Sequence, residues 1–593
     1  MPAPSRIQIQ AIDPLVDCGR YPAKACVGDE VRVEATIFRD GHEVLGAALK
    51  TKPEGKTRWQ ETPMTELGND RWATTFSPGS PGRWSYRIEA WVDPVASFQW
   101  EVRRKVDGGQ TDLSSELAEG ALLLETKTLT VDEALAADPG PRNESRRSPT
   151  LTLEVDSELA RFGSWYELFP RSWGGFARVE ELLPDFVDLG FDVLYFPPVH
   201  PIGRTNRKGR NNSLQARPDD PGSPWAIGAE QGGHTAIDPG LGTQAEFERL
   251  AAAARDHGIE IALDYAIQTS PDHPWLKEHP EWFYRRPDGT LKYAENPPKR
   301  YQDIYNVNFD SEDSEGLWNA LRDVLLFWID RGVRVFRVDN PHTKPVPFWE
   351  WLIAEARARE PELVLLSEAF TRPAMMTTLG KVGFQQSYTY FAWKNTKAEL
   401  YELMGQLLEW SAFLRPNMFV NTPDILHEYL QLGGRPAFEA RLVLAATLSP
   451  SYGIYSGFES LEKVPAASGS EEYLDSEKYE IKQRSLDGEL LPLVQRLNEI
   501  RREHNALQRL ENLRWLETEN EQLIAYAKDD VLVVVNLDPT AVQEGVTVVP
   551  AALGLPPAFT ARDLLADEEF PWRIGRNYVR LDPGKSHVLH VTR

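Results

Sequence analysis

Cysteine is nearly missing from this chain: its 593 residues include two, Cys18 and Cys26, so no disulfide framework can carry the fold. Long apolar runs are missing as well. No stretch approaches the ~18 consecutive apolar residues of a membrane span, and no cationic-then-apolar leader stands at Met1-Pro2-Ala3-Pro4-Ser5, so the expectation is a cytoplasmic protein. Basic charge is scarce. With 65 Lys and Arg against 89 Asp and Glu the net charge is −24, and a surface of that sign repels nucleic acid and anionic membrane. An anionic small substrate would need a local basic pocket. No internal repeat and no extended low-complexity tract occurs. What remains is a soluble globular composition, 26% charged and 41% hydrophobic, rich in Trp, Tyr and Phe. Aromatic-lined clefts suit sugar rings, although aromatics also fill ordinary cores.

At ~150 residues per unit the length suggests roughly four units. Residues 1–105 read as an all-β, immunoglobulin-like sandwich. Val31-Arg32-Val33-Glu34-Ala35-Thr36-Ile37-Phe38 alternates, as do Trp84 to Trp91 and Phe98-Gln99-Trp100-Glu101-Val102. Such a module binds carbohydrate or serves as a docking or dimer surface. Residues 106–150 read as a helical insert, with Leu113, Leu117, Leu122 and Leu123 among acids, followed by a linker from Pro139 to Pro149. Residues 151–510 alternate short apolar strands with helical stretches, and residues 511–593 return to strands as a C-terminal β-sandwich. Eight candidate strands in the central region, Trp165–Phe169, Val193–Phe196, Ile259–Asp264, Val333–Asp339, Leu363–Glu368, Ser387–Tyr390, Met418–Asn421 and Tyr452–Tyr455, are the count for an α/β fold of the (β/α)8 TIM-barrel type. An irregular insertion is expected after the third strand, at about 265–310.

Active sites of such barrels lie at the C-terminal strand ends. Asp264, Asp339, Glu368 and Asp424 follow the third, fourth, fifth and seventh candidate strands. Any one alone reads equally well as a helix cap. Strand alternation puts Arg337 and Asp339 on one face. An isolated R-x-D is as readily a buried ion pair as a nucleophile held ionised by a guanidinium, but four strand-end acids around one arginine point to chemistry. Paired carboxylates suit glycosyl transfer: one attacks the anomeric carbon and the other, its pKa raised, moves protons.

Gly233-His234-Thr235-Ala236-Ile237-Asp238-Pro239-Gly240-Leu241-Gly242-Thr243, Asp264, Arg337-Val338-Asp339, Glu368 and Asn421-Thr422-Pro423-Asp424 resemble, in order and spacing, the signature regions of the α-amylase superfamily, glycoside hydrolase family thirteen. The resemblance implies that Asp339 is the nucleophile, Glu368 the acid/base, Asp424 the residue that binds and distorts the sugar, and Arg337 the partner of Asp339. Two departures narrow it. Asp264-Tyr265-Ala266-Ile267-Gln268-Thr269 replaces the usual D-x-x-x-N-H, and Pro423-Asp424 replaces H-D. With Gln268 in place of a calcium-binding asparagine, no metal is expected.

These departures, with Arg207-Lys208-Gly209-Arg210, Gln268 to Trp275, Asn296-Pro297-Pro298-Lys299-Arg300-Tyr301 and Asn340 to Pro345, resemble the α-1,4-glucan:maltose-1-phosphate maltosyltransferase subfamily. That resemblance implies a retaining transferase, without a cofactor, moving maltosyl units from α-maltose 1-phosphate to a glucan such as glycogen. It also implies a homodimer, with Ser270, Asn296, Lys299, Tyr301 and Asn340 around the phosphate and Lys208 and Gln268 on the sugar. Hydroxyl, amide, ammonium and phenol donors are what a departing phosphate requires. Taken alone, Asn296–Tyr301 reads as an exposed proline loop and Lys208 as part of a basic surface loop. An amylase-like hydrolase, a sugar isomerase and a non-catalytic glucan-binding barrel are the rival expectations.

Overall fold

The computed structural model describes residues 5–138, 140, 142–297 and 299–592. Met1 to Pro4, read above for a leader, and Pro139, Pro141 and Pro298, read above as parts of loops, lie outside the described residues. The chain divides into two compact units, Met1–Asp156 and Ser157–Arg593.

In the first unit the alternation of Val31–Phe38 buries Val33, Ala35 and Ile37. This strand pairs with Gln8–Asp13 and Arg71–Phe76 in a four-stranded antiparallel sheet. A second, six-stranded sheet centres on Gly82–Val92 and Leu45–Pro53. Two expectations are corrected here. Phe98 to Val102 is not a strand: it lies inside the helix Pro94–Asp107. Phe98 and Val102 satisfy a period of two and a spacing of four alike, and the start signal decides, because Asp93 accepts from the Ala96 N–H and Pro94 occupies the first turn. Phe98 packs so tightly on Gly120 that a Cβ there would lie 2.0 Å from its ring. The expected linker also contains a strand, Asn143–Arg147, paired with Gly82–Val92. Its polar sequence carries no strand signal; ladder bonds and an Arg147–Glu89 ion pair of 3.0 Å hold it.

The second unit bears out the barrel. Strands β1 (Gly163–Glu167), β2 (Val193–Phe196), β3 (Glu260–Tyr265), β4 (Val335–Val338), β5 (Val364–Ser367), β6 (Gln386–Tyr388), β7 (Pro416–Phe419) and β8 (Ser451–Tyr455) close in sequence order. All are parallel, and β8 returns to β1. Being buried on both faces, they read as apolar runs rather than alternations. Gly453 on β8 is required by a close approach: a Cβ there would meet the Phe419 ring of β7 at 2.4 Å. Register sets Arg337 of β4 beside Asp264 of β3, and Glu167 of β1 beside Tyr195 of β2. The excursion after β3 is more ordered than its proline-rich sequence predicts, carrying the antiparallel strands Gln268–Thr269, Tyr293–Asn296 and Lys299–Asn306. Eight further strands between Leu513 and Val591 form the C-terminal layer, packed around Leu523, Val534, Trp572 and Leu589.

Candidate active site

Each carboxylate occupies the position its strand dictates. Asp264 is the penultimate residue of β3, Glu167 ends β1, and Asp339 and Glu368 lie one residue beyond β4 and β5. Arg337 binds them together. Its Nη1 lies 2.9 Å from Asp264 Oδ2 and 2.8 Å from Asp339 Oδ1, and its Nη2 lies 2.6 Å from Glu368 Oε1. Asp264 Oδ2 also accepts from the Tyr195 hydroxyl at 2.7 Å and from Trp225 Nε1 at 3.0 Å. All of these groups except Glu368 are more than nine-tenths buried.

Burial raises the pKa of every acid here, and the neighbours then separate them. For Asp339 burial is overcome by Arg337 and Lys344, and its carboxyl is held below the ordinary range. Glu368 is driven well above it by burial, against the pull of Arg337, with the negative charges of Asp339, Asp424 and Asp264 pushing the same way as burial. A hydrogen bond joins the Asp339 and Glu368 carboxyls, and the opposed shifts favour Glu368 as the holder of the shared proton. Asp264 is pushed up to about 7 by burial against the pull of Arg337, and burial likewise raises Glu167. Opposed shifts on two neighbouring carboxyls are what an acid and nucleophile pair requires.

The turn after β4 is locally built. Asn340 has φ 41° and ψ 54°, the left-handed region that asparagine tolerates. Its N–H donates to Glu368 Oε2 at 3.2 Å. Lys344 is buried, and its Nζ donates to the carbonyls of Asp339 at 3.4 Å and Asn340 at 3.2 Å. Asn340 is itself exposed, next to Asp339 in the chain and tied to Glu368 by its backbone.

Asp424, half-buried beyond β7, pairs with Lys478 from the loop after β8. Burial raises its pKa, but Lys478 draws it below the ordinary carboxylate range. Lys478 Nζ stands 5.7 Å from the ring centres of Trp225 and Tyr479. The excursion sheet meets this rim. Lys299 Nζ lies 3.0 Å from Glu472, and half-buried Tyr301, two residues on and therefore on the same strand face, feels the charges of Lys478 and Asp424. Asn296 is exposed and registered opposite Lys299. Lys208 is buried, with Nζ 2.7 Å from Gln302 Oε1. Gln268, also buried, donates to the Trp225 carbonyl at 3.4 Å. Ser270 differs from its expected role as a free donor: it is fully buried, its hydroxyl donates to the Gly228 carbonyl and accepts from the Asp272 N–H. To meet a phosphate it must exchange the first bond. Past Glu368, the rings of Phe370, Tyr390 and Trp393 cluster with centres 5.0–5.8 Å apart.

Sequence reasoning missed Glu167, Tyr195, Trp225, Lys344 and Lys478. The strand-end rule that found Asp339 also reaches Glu167. Lys478 has no such signal, because it lies 54 positions beyond Asp424, past a helix, β8 and irregular chain. Among the described residues, His279, Glu281 and Asp313 are close enough to hold a metal ion. However, His279 pairs with Glu281 at 3.3 Å and stacks on Trp282, while Asp313 caps a helix and accepts from Trp282. These bonds explain the group without an ion.

Residues 5–164 match a family model described as α-1,4-glucan:maltose-1-phosphate maltosyltransferase, domain N/S, and residues 515–592 match one described as GLGE, C-terminal. The chain is 50% identical to α-1,4-glucan:maltose-1-phosphate maltosyltransferase 2 of Streptomyces coelicolor, over 99% of this chain and 96% of the relative. It is 47% identical to the maltosyltransferase of the same description from Rhodospirillum rubrum, over 98% and 94%. The fold is similar to that of the maltogenic α-amylase AmyB from Thermotoga neapolitana, with TM-score 0.59 and 18% identity, covering 74% of this chain and 100% of that one.

Proposed function

Because the chain belongs to the α-1,4-glucan:maltose-1-phosphate maltosyltransferase family, we propose that it moves a maltosyl unit from α-maltose 1-phosphate to the non-reducing 4-hydroxyl of an α-1,4-glucan. Phosphate is released and configuration retained. The observation that carries the mechanism is the Arg337 cluster, which joins Asp339 and Glu368 and shifts their pKa values in opposite directions from the ordinary range.

Asp339 attacks the anomeric carbon, and the bond from that carbon to the phosphate oxygen breaks. The Glu368 proton assists by passing to the departing oxygen, so hydrogen phosphate leaves, and a phosphate that already carries a proton leaves as hydrogen phosphate on its hydrogen-bond donors without Glu368. Asn340, Asn296, Lys299 and Tyr301 donate to the phosphate, and Ser270 joins them by giving up Gly228. Lys208, Gln268 and Asp424 hold the two sugar rings, with Lys478 fixing Asp424. Once Asp339 is an ester its negative charge is gone, whereas Arg337 remains. Glu368 loses its strongest anionic neighbour and its pKa falls, which equips it to take the proton of the glucan 4-hydroxyl. That oxygen then displaces Asp339, and two inversions give retention. The Phe370, Tyr390 and Trp393 cluster supplies the aromatic faces on which an acceptor chain stacks.

We further infer a homodimer in the cytoplasm. A chain with two cysteines in 593 residues, Cys18 and Cys26, has no disulfide framework, which suits a reducing compartment. Sedimentation equilibrium returning the 67.1 kDa of one chain at micromolar concentration would remove the dimer. The function itself is tested by phosphate release from α-maltose 1-phosphate. Release should be slow with donor alone and rise by about two orders of magnitude with glycogen. Equal release with and without glycogen would mean a hydrolase, and no release from either would mean a non-catalytic barrel.

A further inference from the structure

The second unit holds a cavity of about 330 Å³ that the proposed reaction does not use. It opens at the C-terminal ends of β1 and β2. Pro170, Pro197, Pro198 and Pro239 stiffen its walls, and Phe169 and Leu241 supply apolar surface. It backs onto the candidate active site through one thin wall. Trp225 donates to Asp264, whereas the adjoining Pro224 lines the cavity; Arg207, next to Lys208, lines it too.

Its charge is the unusual feature. Arg171, Arg204 and Arg207 all line the cavity, and Asp238 is the acid among the lining residues. Arg207 donates to the carbonyls of Gly203, Ile202 and Asp220 at 2.8, 2.8 and 3.2 Å. Arg171 donates to those of Gly222 at 3.0 Å and Glu477 at 2.6 Å, and its Nε has no partner. These acceptors are neutral, and among the described residues no carboxylate forms an ion pair with any of the three arginines. Asp238 spends Oδ1 on the Gly240 N–H at 2.8 Å. Arg441 and Arg501 are also satisfied by carbonyls alone, but both are sealed in the core, at 2% and 0% exposure. Arg171 differs in facing a cavity, and burial lowers its pKa to about 10 against the pull of the Glu477 and Asp238 charges. A preformed, largely apolar cavity of this size with convergent cations has the form of a small-molecule site.

We infer that this cavity binds a small organic anion, a carboxylate or phosphate monoester on a compact apolar body, and that its occupancy tunes the neighbouring active site through Arg171. Arg171 holds the Glu477 carbonyl, and the next residue, Lys478, is the partner of Asp424. An anion that draws the Arg171 guanidinium toward the cavity competes with that bond and so shifts Lys478. Coupling of this kind is reciprocal, so a ligand that alters donor affinity has its own affinity altered by the donor.

The test uses isothermal titration of the whole protein with benzoate, phenyl phosphate and, as the neutral shape match, benzamide. One of the two anions should bind saturably and benzamide should not; which anion is tighter identifies the head group. Arg204→Gln, which removes an exposed charge, and Leu241→Trp, which fills the cavity, should each weaken binding at least about tenfold while leaving basal phosphate release unchanged. In the wild type the bound anion should change the donor KM by about twofold or more. Equal binding of benzamide, binding that survives Leu241→Trp, or no saturable binding of either anion would overturn the site. Saturable binding with an unchanged KM would overturn the coupling. Because binding is read without substrate, these outcomes stand apart from failure of the transferase reading.

Discussion

Arg337 serves three carboxylates with two terminal nitrogens, and Lys344 supplies the second buried cation beside Asp339. Asp339 has to be ionised to attack. Replacing Lys344 by Met removes a charge that lowers the Asp339 pKa, so protonation of the nucleophile begins at higher pH. The acid limb of the kcat/KM profile should move up by about one pH unit, whereas the alkaline limb, set by Glu368, should move less. An unshifted acid limb would show that Lys344 is structural only. At this scale the sequence was informative at three strand ends, where Asp264, Asp339 and Glu368 were found, whereas Glu167 at the end of β1 was missed. It was uninformative where function comes from long loops, as with Trp225 and Lys478, whose proximity to Asp264 and Asp424 is created by the folded chain alone.

The turn following β4 links Asp339 to Glu368 through Asn340. Left-handed backbone at Asn340 points its N–H to Glu368 and leaves its amide exposed. Glycine adopts the same conformation without cost, so Asn340→Gly should hold stability within about 1 kcal/mol while raising the donor KM. A β-branched residue cannot, and Asn340→Val should destabilise by about 1–3 kcal/mol, measured by chemical denaturation. An unchanged KM in the glycine variant would remove Asn340 from the phosphate site. Periodicity alone could not assign every element. Phe98 to Val102 fits a strand and a helix equally, and the cap Asp93-Pro94 resolves it. Asn143–Arg147 has a strand's pairing without a strand's composition.

Across the molecule, the barrel was legible because eight apolar runs recur between helical stretches, whereas the tie between the C-terminal layer and the barrel was not. That tie includes Lys528, fully buried, whose Nζ donates to the carbonyls of Leu448 at 3.2 Å and Arg509 at 2.5 Å. Burial brings its pKa down to about 7, against ~10.4 in an unfolded chain. Between these values the unfolded state binds more protons, so this residue makes stability rise with pH from about 7 to about 10. Lys528→Met should flatten that rise relative to the wild type in denaturation midpoints measured across the range. A parallel pair of curves would contradict the assignment.

The central claim is that Asp339 carries the sugar and Glu368 moves the proton, and intact-mass spectrometry after addition of α-maltose 1-phosphate tests it most directly. The account predicts one added maltosyl unit on Glu368→Ala, located on Asp339, and none on Asp339→Ala. An adduct on Asp339→Ala, with none on Glu368→Ala, would contradict it.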